Sequence, residues 1–163
     1  MTSKMNVYIN QFNTDTDRNL LPLAAGLISS YSKSNSEITA KFNIGIKLLR
    51  ENPERTVSEY EVPAVLGYSA YMWNFQHSLE VARLAKIKFP NVVNVFGGPS
   101  IPRRPETLAA FFGKYPFVDL AVQGEGEITF AEILKSLIRE EDFSNVAGIA
   151  YRVDAKDGHI KNL

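Results

Sequence analysis

Strand-like and helix-like segments alternate along almost the whole chain, and this restricts the fold more than any other feature. Val7-Tyr8-Ile9 opens a first strand that closes near Phe12, and a polar loop, Asn13 to Asn19, follows it. Leu20, Leu23, Ala24, Leu27, Ile28 and Tyr31 recur at helical spacing, with Pro22 tolerated in the first turn. Ile38, Ala40, Phe42 and Ile44 alternate with polar residues, a pattern that predicts a half-exposed strand. Ala64 to Ser69 reads as a buried strand bounded by Pro63. Phe75, Leu79, Ala82, Ala85 and Phe89 mark one face of a helix that stops before Pro90. Val92 to Phe96 forms a strand cut off by Gly97-Gly98-Pro99, and Pro105 opens a short helix through Phe112 with Gly113 at its end. Val118 to Val122 is a strand, and Gly124 to Glu127 is a turn. Thr129 and Glu132 have capping-box spacing, Ile128 and Ile133 that of a hydrophobic staple. Phe130, Ile133, Leu134, Leu137 and Ile138 form an apolar stripe. Ala147 to Val153 is a last strand.

Strands separated by helices pair in parallel through right-handed crossovers. The expected fold is a doubly wound α/β sandwich, Rossmann-like and flavodoxin-like. Its mostly parallel sheet has five or six strands with helices on both faces. Residues 1–153 are expected to form one domain and residues 154–163 a loose polar tail. Ligands of such sheets sit beyond the carboxyl ends of the strands. Those ends are Asn13–Asn19, Ser69–Asn74, Gly97–Arg103 and Gly124–Glu127.

Composition narrows the chemistry. Lysine plus arginine equals aspartate plus glutamate, 18 of each, which argues against a general electrostatic grip on nucleic acid or an anionic membrane. There is no cysteine, so this chain alone holds no disulfide, thiolate zinc site or iron–sulfur cluster. The start, Met1-Thr2-Ser3-Lys4, lacks a signal peptide's apolar run, and no stretch is apolar enough to span a bilayer. A cytoplasmic location is expected.

Three strand-end segments could carry chemistry. Gly97-Gly98-Pro99-Ser100 lets backbone approach a ligand without a Cβ in the way, or makes a plain tight turn. It is neither a nicotinamide fingerprint nor a phosphate loop. Gly124-Glu125-Gly126-Glu127 precedes a helix whose dipole favours carboxylates, and its amides and Glu125 could face a ligand or a neighbouring domain. Tyr68 to Asn74 crowds three aromatics and a methionine at one strand end. These either pack the core or wall a large planar cofactor, with Ser69 and Asn74 supplying hydrogen bonds. Asn74 could equally cap the next helix. His77 and His159, the only histidines, lie far apart without ligand companions, so no metal site is expected. His77 reads as a helix-surface residue.

The order of these motifs resembles the N-terminal cobalamin-binding domain of cobalamin-dependent radical-SAM enzymes. The resemblance is carried by Gly67 to Asn74, Leu84 to Pro90, Phe96-Gly97-Gly98-Pro99, Val118 to Glu127 and Val146 to Arg152, with Leu21-Pro22-Leu23 in support. It implies a corrin held at the strand ends and a nucleotide tail threaded into the domain. Ser69, Gly97 and Gly98 would line the tail. Tyr71, Trp73 and the loop after the first strand would approach the corrin's lower face, and Gly124 to Glu127 would form another wall, so that Asn74, Pro99, Gly124, Glu125 and Gly126 also count among the expected cofactor-binding residues. Mutase-type modules carry a cobalt-ligating histidine in an Asp-x-His-x-x-Gly motif after the first strand. Here Asn13 to Asn19 holds none, so no local axial histidine is implied. The family's Cys-x-x-x-Cys-x-x-Cys motif, with its S-adenosylmethionine and [4Fe-4S] cluster, would lie in a radical-SAM domain downstream of Leu163. The implied whole is a methyltransferase or related enzyme acting on a small molecule, and no catalysis is expected of this piece alone. Two other readings stay open: a flavodoxin-like domain for a flavin or nucleotide, and a degenerate scaffold without cofactor.

Overall fold

The computed structural model describes residues 3–13, 21–153 and 160–162. Its elements run β1 (Met5–Asn13), α1 (Leu23–Lys33), α2 (Ser36–Lys41), β2 (Phe42–Leu49), α3 (Pro53–Ser58), β3 (Pro63–Ser69) and α4 (Phe75–Lys88). They continue as β4 (Val93–Gly97), α5 (Pro105–Lys114), β5 (Leu120–Val122), α6 (Gly126–Arg139), β6 (Ile149–Arg152) and β7 (Ile160–Asn162). The strands form one sheet in the order β2-β1-β3-β4-β5-β6-β7. Pairings from β2 across to β5 are parallel, and β6 and β7 join antiparallel. Helices cover both faces, as the alternation predicts.

The order 2-1-3-4-5 reverses direction between β1 and β3, and ligands of doubly wound sheets bind at such a switch point. The reversal sends α1, α2 and α6 to one face and α3, α4 and α5 to the other. Each face has its own buried cluster: Val7, Ile9, Val65, Val95, Ile133 and Leu134 with the first group, Phe12, Leu66, Phe96, Leu79 and Phe112 with the second.

Several expectations need correction. Ile38 and Ala40 lie in helix α2, because Asn35 Oδ1 accepts from the Glu37 and Ile38 amides at 3.0 and 3.3 Å and starts a turn there. The strand begins only at Phe42. Helix α3, opened by Asn52 as cap and Pro53 in the first turn, was not anticipated. The capping box and staple do not form, since α6 begins at Gly126, three residues before Thr129. The Thr129 hydroxyl instead donates to Ala147 O at 3.5 Å, and Ile128 is exposed. The tail is not wholly loose: Ile160–Asn162 adds a seventh, edge strand to the sheet. Helix α1 also turns out differently from its apolar pattern. Ala25, Ser29 and Ser32 face the interior, while Leu23, Leu27 and Tyr31 stand exposed.

Candidate functional site

A cavity of about 430 Å³ opens at the carboxyl ends of β1, β3, β4 and β5, on the face covered by α1 and α6. That volume lies within the roughly 300–1,000 Å³ of small-ligand sites. Strand register builds its inner wall in rows. Gly67 is paired with Ile9 on one side and Val95 on the other, and Ser69 is paired with Gly97 one row nearer the mouth. Ile28 from α1 and Phe130 from α6 close over these rows. A Cβ at Gly67 would stand 3.0 Å from the Phe130 ring, so the glycine is what lets the ring lie against the sheet.

Of the residues singled out in the sequence, Ser69, Tyr71, Gly97, Gly98 and Pro99 line this cavity. So do Gly124, Glu125 and Gly126. Ser69 is buried to 7% exposure, and none of the hydrogen bonds among the described residues uses its hydroxyl. Gly98 has φ of +104°, and a Cβ there would come within 2.8 Å of Ala70 O. The need for glycine is therefore set by the backbone, where the ends of β3 and β4 are tied together. Ala70 N donates to Gly97 O at 2.7 Å, and Ser100 N to Ala70 O at 3.1 Å. Gly97 also lines the cavity but has ordinary clearance, 3.5 Å to Val122 Cβ, so its backbone does not require glycine.

Trp73 and Asn74 do not line the cavity. Asn74 is fully buried and makes no side-chain cap for α4. Its Oδ1 accepts from Tyr71 N at 2.9 Å and its Nδ2 donates to Ser69 O at 3.0 Å, so one amide folds the 69–74 loop onto itself. The Trp73 ring stacks on Tyr71 with centroids 4.7 Å apart and planes 11° from parallel, and it remains 52% exposed at the rim beside Met72. Arg50 Nη1 donates to Trp73 O at 3.3 Å.

Sequence reasoning missed the helical side of the site. Ala24 and Ile28 come from α1, whose first turn is held to β1 by Gln11: its Oε1 accepts from Ala25 N at 3.0 Å. Gln123 was also missed. Its Nε2 donates to Arg103 O at 3.3 Å and Pro102 O at 3.5 Å, joining the loops after β5 and β4 across the mouth. Arg103 and Glu127 complete the rim. Both fall in the strand-end segments Gly97–Arg103 and Gly124–Glu127 that the sequence marks, whereas no local signal marks Ala24, Ile28 or Gln123, which only the folded sheet brings to the site.

His77 is half-buried rather than a plain surface residue. Its ring meets Phe12 edge-on at 4.7 Å, and its Nε2 is buried without a hydrogen-bond partner. Desolvation lowers its pKa below the ordinary value, and the nearby Arg50 charge adds to the effect. Among the described residues no group of three or more acidic, histidine or cysteine side chains could hold a metal ion. No described helix is long and apolar enough to cross a membrane. Residues 14–19 of the loop after β1, and His159, lie outside the described residues.

No family model matches the chain. It is 37% identical over 134 residues to the cobalamin-dependent radical SAM methyltransferase TokK of Streptomyces tokunonensis, an alignment of 81% of this chain and 19% of that protein. It is 36% identical, over the same shares, to the 2-(S-pantetheinyl)-carbapenam-3-carboxylate methyltransferase of Streptantibioticus cattleyicolor. The chain thus spans under a fifth of the length of these curated relatives. Among solved structures, the cobalamin-dependent S-adenosylmethionine radical enzyme OxsB with aqua-cobalamin bound superposes with a TM-score of 0.70 at 22% identity. That match takes in 98% of this chain and 22% of OxsB. The methyltransferase TsrM of Kitasatospora setae, with cobalamin and a [4Fe-4S] cluster, superposes at 0.66 and 15% identity over 94% of this chain and 28% of its own. At such identities the likeness is one of fold.

Proposed function

We propose that this chain, which matches the N-terminal cobalamin-binding region of cobalamin-dependent radical SAM methyltransferases, is the corrinoid-holding module of such an enzyme. The observation that carries the reading is a place. The cavity at the strand ends is lined by most of the residues that the motifs pick out: Ser69, Tyr71, Gly97, Gly98, Pro99, Gly124, Glu125 and Gly126. Its apolar rows and the Ser69 hydroxyl on its wall suit a heterocyclic tail, and Tyr71, stacked on Trp73, suits the flat lower side of a corrin. When bound, cobalamin supplies a cobalt centre able to carry a methyl group.

The chain's own residues bind and orient. Ser69, Gly97, Gly98 and Pro99 hold the tail, Gly124, Glu125 and Gly126 form the facing wall, and Asn74 acts by fixing the loop that carries Tyr71 and Trp73. Gln123 keeps the two mouth loops in register. With no cysteine in the chain, the thiolates of a [4Fe-4S] cluster, and the S-adenosylmethionine it would bind, belong to a radical-SAM domain beyond residues 1–153. Transfer of a methyl group to a small molecule would take place there, in the cytoplasm and without a nucleic-acid partner.

Titration of the chain with hydroxocobalamin tests the reading. A saturable change in the visible spectrum and a rise in melting temperature are expected. A flat response up to high micromolar cobalamin, with flavin mononucleotide binding instead, would replace it by the flavodoxin-like alternative.

A further inference from the structure

The deep row of the cavity offers a ligand almost nothing to hydrogen-bond. Ile9, Ile28, Val95 and Phe130 present only carbon, and the backbone of the row is engaged in the sheet. The Gly67 carbonyl also accepts from Asn10 Nδ2 at 3.0 Å, from the opposite face. Above this row stands one buried polar side chain, Ser69, with a single hydroxyl.

Corrinoids share the macrocycle and differ in the base of the nucleotide tail. A dimethylbenzimidazole joined to its ribose keeps one free ring nitrogen and two methyl groups. An adenine keeps three ring nitrogens and an amino group. One hydroxyl can serve the first, whereas the second would leave several polar atoms buried without partners, which is costly.

Building on the corrinoid reading above, we infer that this cavity discriminates among corrinoids by their lower base. It takes a benzimidazole tail and disfavours a purine tail, with Val95, Ile9 and Phe130 as the residues that set the preference. Rejection rests on the absence of partners rather than on size. An apolar pocket discriminates against one added hydroxyl by roughly a hundredfold, and adenine brings several polar atoms of which Ser69 can serve one, so a preference of at least about tenfold is expected.

Three titrations of the 163-residue chain, followed by visible absorbance and calorimetry, test this: cobalamin, its adenine-tailed analogue and tail-less cobinamide. Cobalamin should bind at least about tenfold more tightly than either. Adenine leaves cobalt more readily than dimethylbenzimidazole, so freeing the tail biases the result against the expected order. In Val95→Thr, which keeps the shape and adds one hydroxyl to the deep row, the gap between cobalamin and the adenine-tailed form should narrow, with a melting curve confirming the fold. Equal affinity for the two tailed corrinoids overturns the selectivity and leaves the corrinoid reading standing. Equal affinity for cobinamide, or an unchanged gap in Val95→Thr, overturns the placement of the base in the deep row and the preference with it. Failure of all three to bind removes the corrinoid reading itself, and this inference falls with it.

Discussion

The two faces of the sheet are packed from different materials. Beneath α3, α4 and α5 the interior is largely rings, with Phe12, Tyr68, Phe96, Phe111 and Phe112 buried and Phe75, Tyr115 and Phe117 packed against them. Beneath α1, α2 and α6 it is mostly aliphatic, and there the cavity opens. The same strands supply both sides. Along β3, Gly67 and Ser69 face the cavity while Tyr68 between them faces the rings. Along β4, Val95 and Gly97 alternate with Phe96. Tyr68 and Phe96 stack with centroids 4.5 Å apart and planes at 20°. Period-two alternation has thus put bulk on one side of the sheet and room on the other. The lesson is that one face supplies rigidity and the other supplies space.

The comparison is most exposed to Phe96→Ala, which removes a fully buried ring from the filled side. Loss of about 3–5 kcal/mol of folding stability is expected by denaturant titration, with any ligand loss following from unfolding. A neutral result would mean that the ring face does not carry the stability. The neighbouring glycines separate backbone need from cavity room. Gly98→Ala should cost about 2 kcal/mol, because its φ is left-handed and its Cβ would strike Ala70 O. Gly97→Ala should change stability by less than about 1 kcal/mol yet weaken cobalamin binding about tenfold, since the methyl enters the cavity. If Gly97→Ala binds as tightly as the parent, the space beside Gly97 is not where the ligand sits.

The smallest effect concerns His77, whose ring packs on Phe12 of the filled face. Burial lowers its folded pKa below the ordinary 6.5. Above that pH the imidazole is neutral in both states and contributes no pH dependence. As pH falls through 6.5 the unfolded chain takes up the proton first, so stability declines until the lower folded pKa is passed. Melting curves between pH 7 and 5 should therefore fall more steeply for the parent than for His77→Phe. Parallel slopes would show that the ring is not desolvated.

Much of this was legible in the chain. Strands β1, β3, β4 and β5 and helices α4 and α6 follow from hydrophobic period, and the strand ends from Gly97-Gly98-Pro99 and Gly124 to Glu127. What escaped was of two kinds. Helix α2 escaped because Ile38, Ala40 and Phe42 happen to fall at strand spacing, and the Asn35 cap outweighs the alternation. The roles of Gln11, Gln123 and Phe130 escaped because each depends on a partner more than ten residues away, which no window of sequence contains. In the sequence alone Asn74 reads either as a ligand contact or as a helix cap. Its bonds to Tyr71 and Ser69 are a third use, set by the conformation of the loop itself.

That use has a thermodynamic consequence. Fixing the backbone of a residue costs roughly 1–2 kcal/mol in conformational entropy. The loop from Ser69 to Asn74 is folded onto a buried amide within the protein alone, so most of that cost is borne during folding, when the rings of the other face supply the driving force. A ligand that meets Tyr71 and Trp73 finds them already in place. Association there should show little ordering entropy, and a rate set by encounter instead of by rearrangement of the wall.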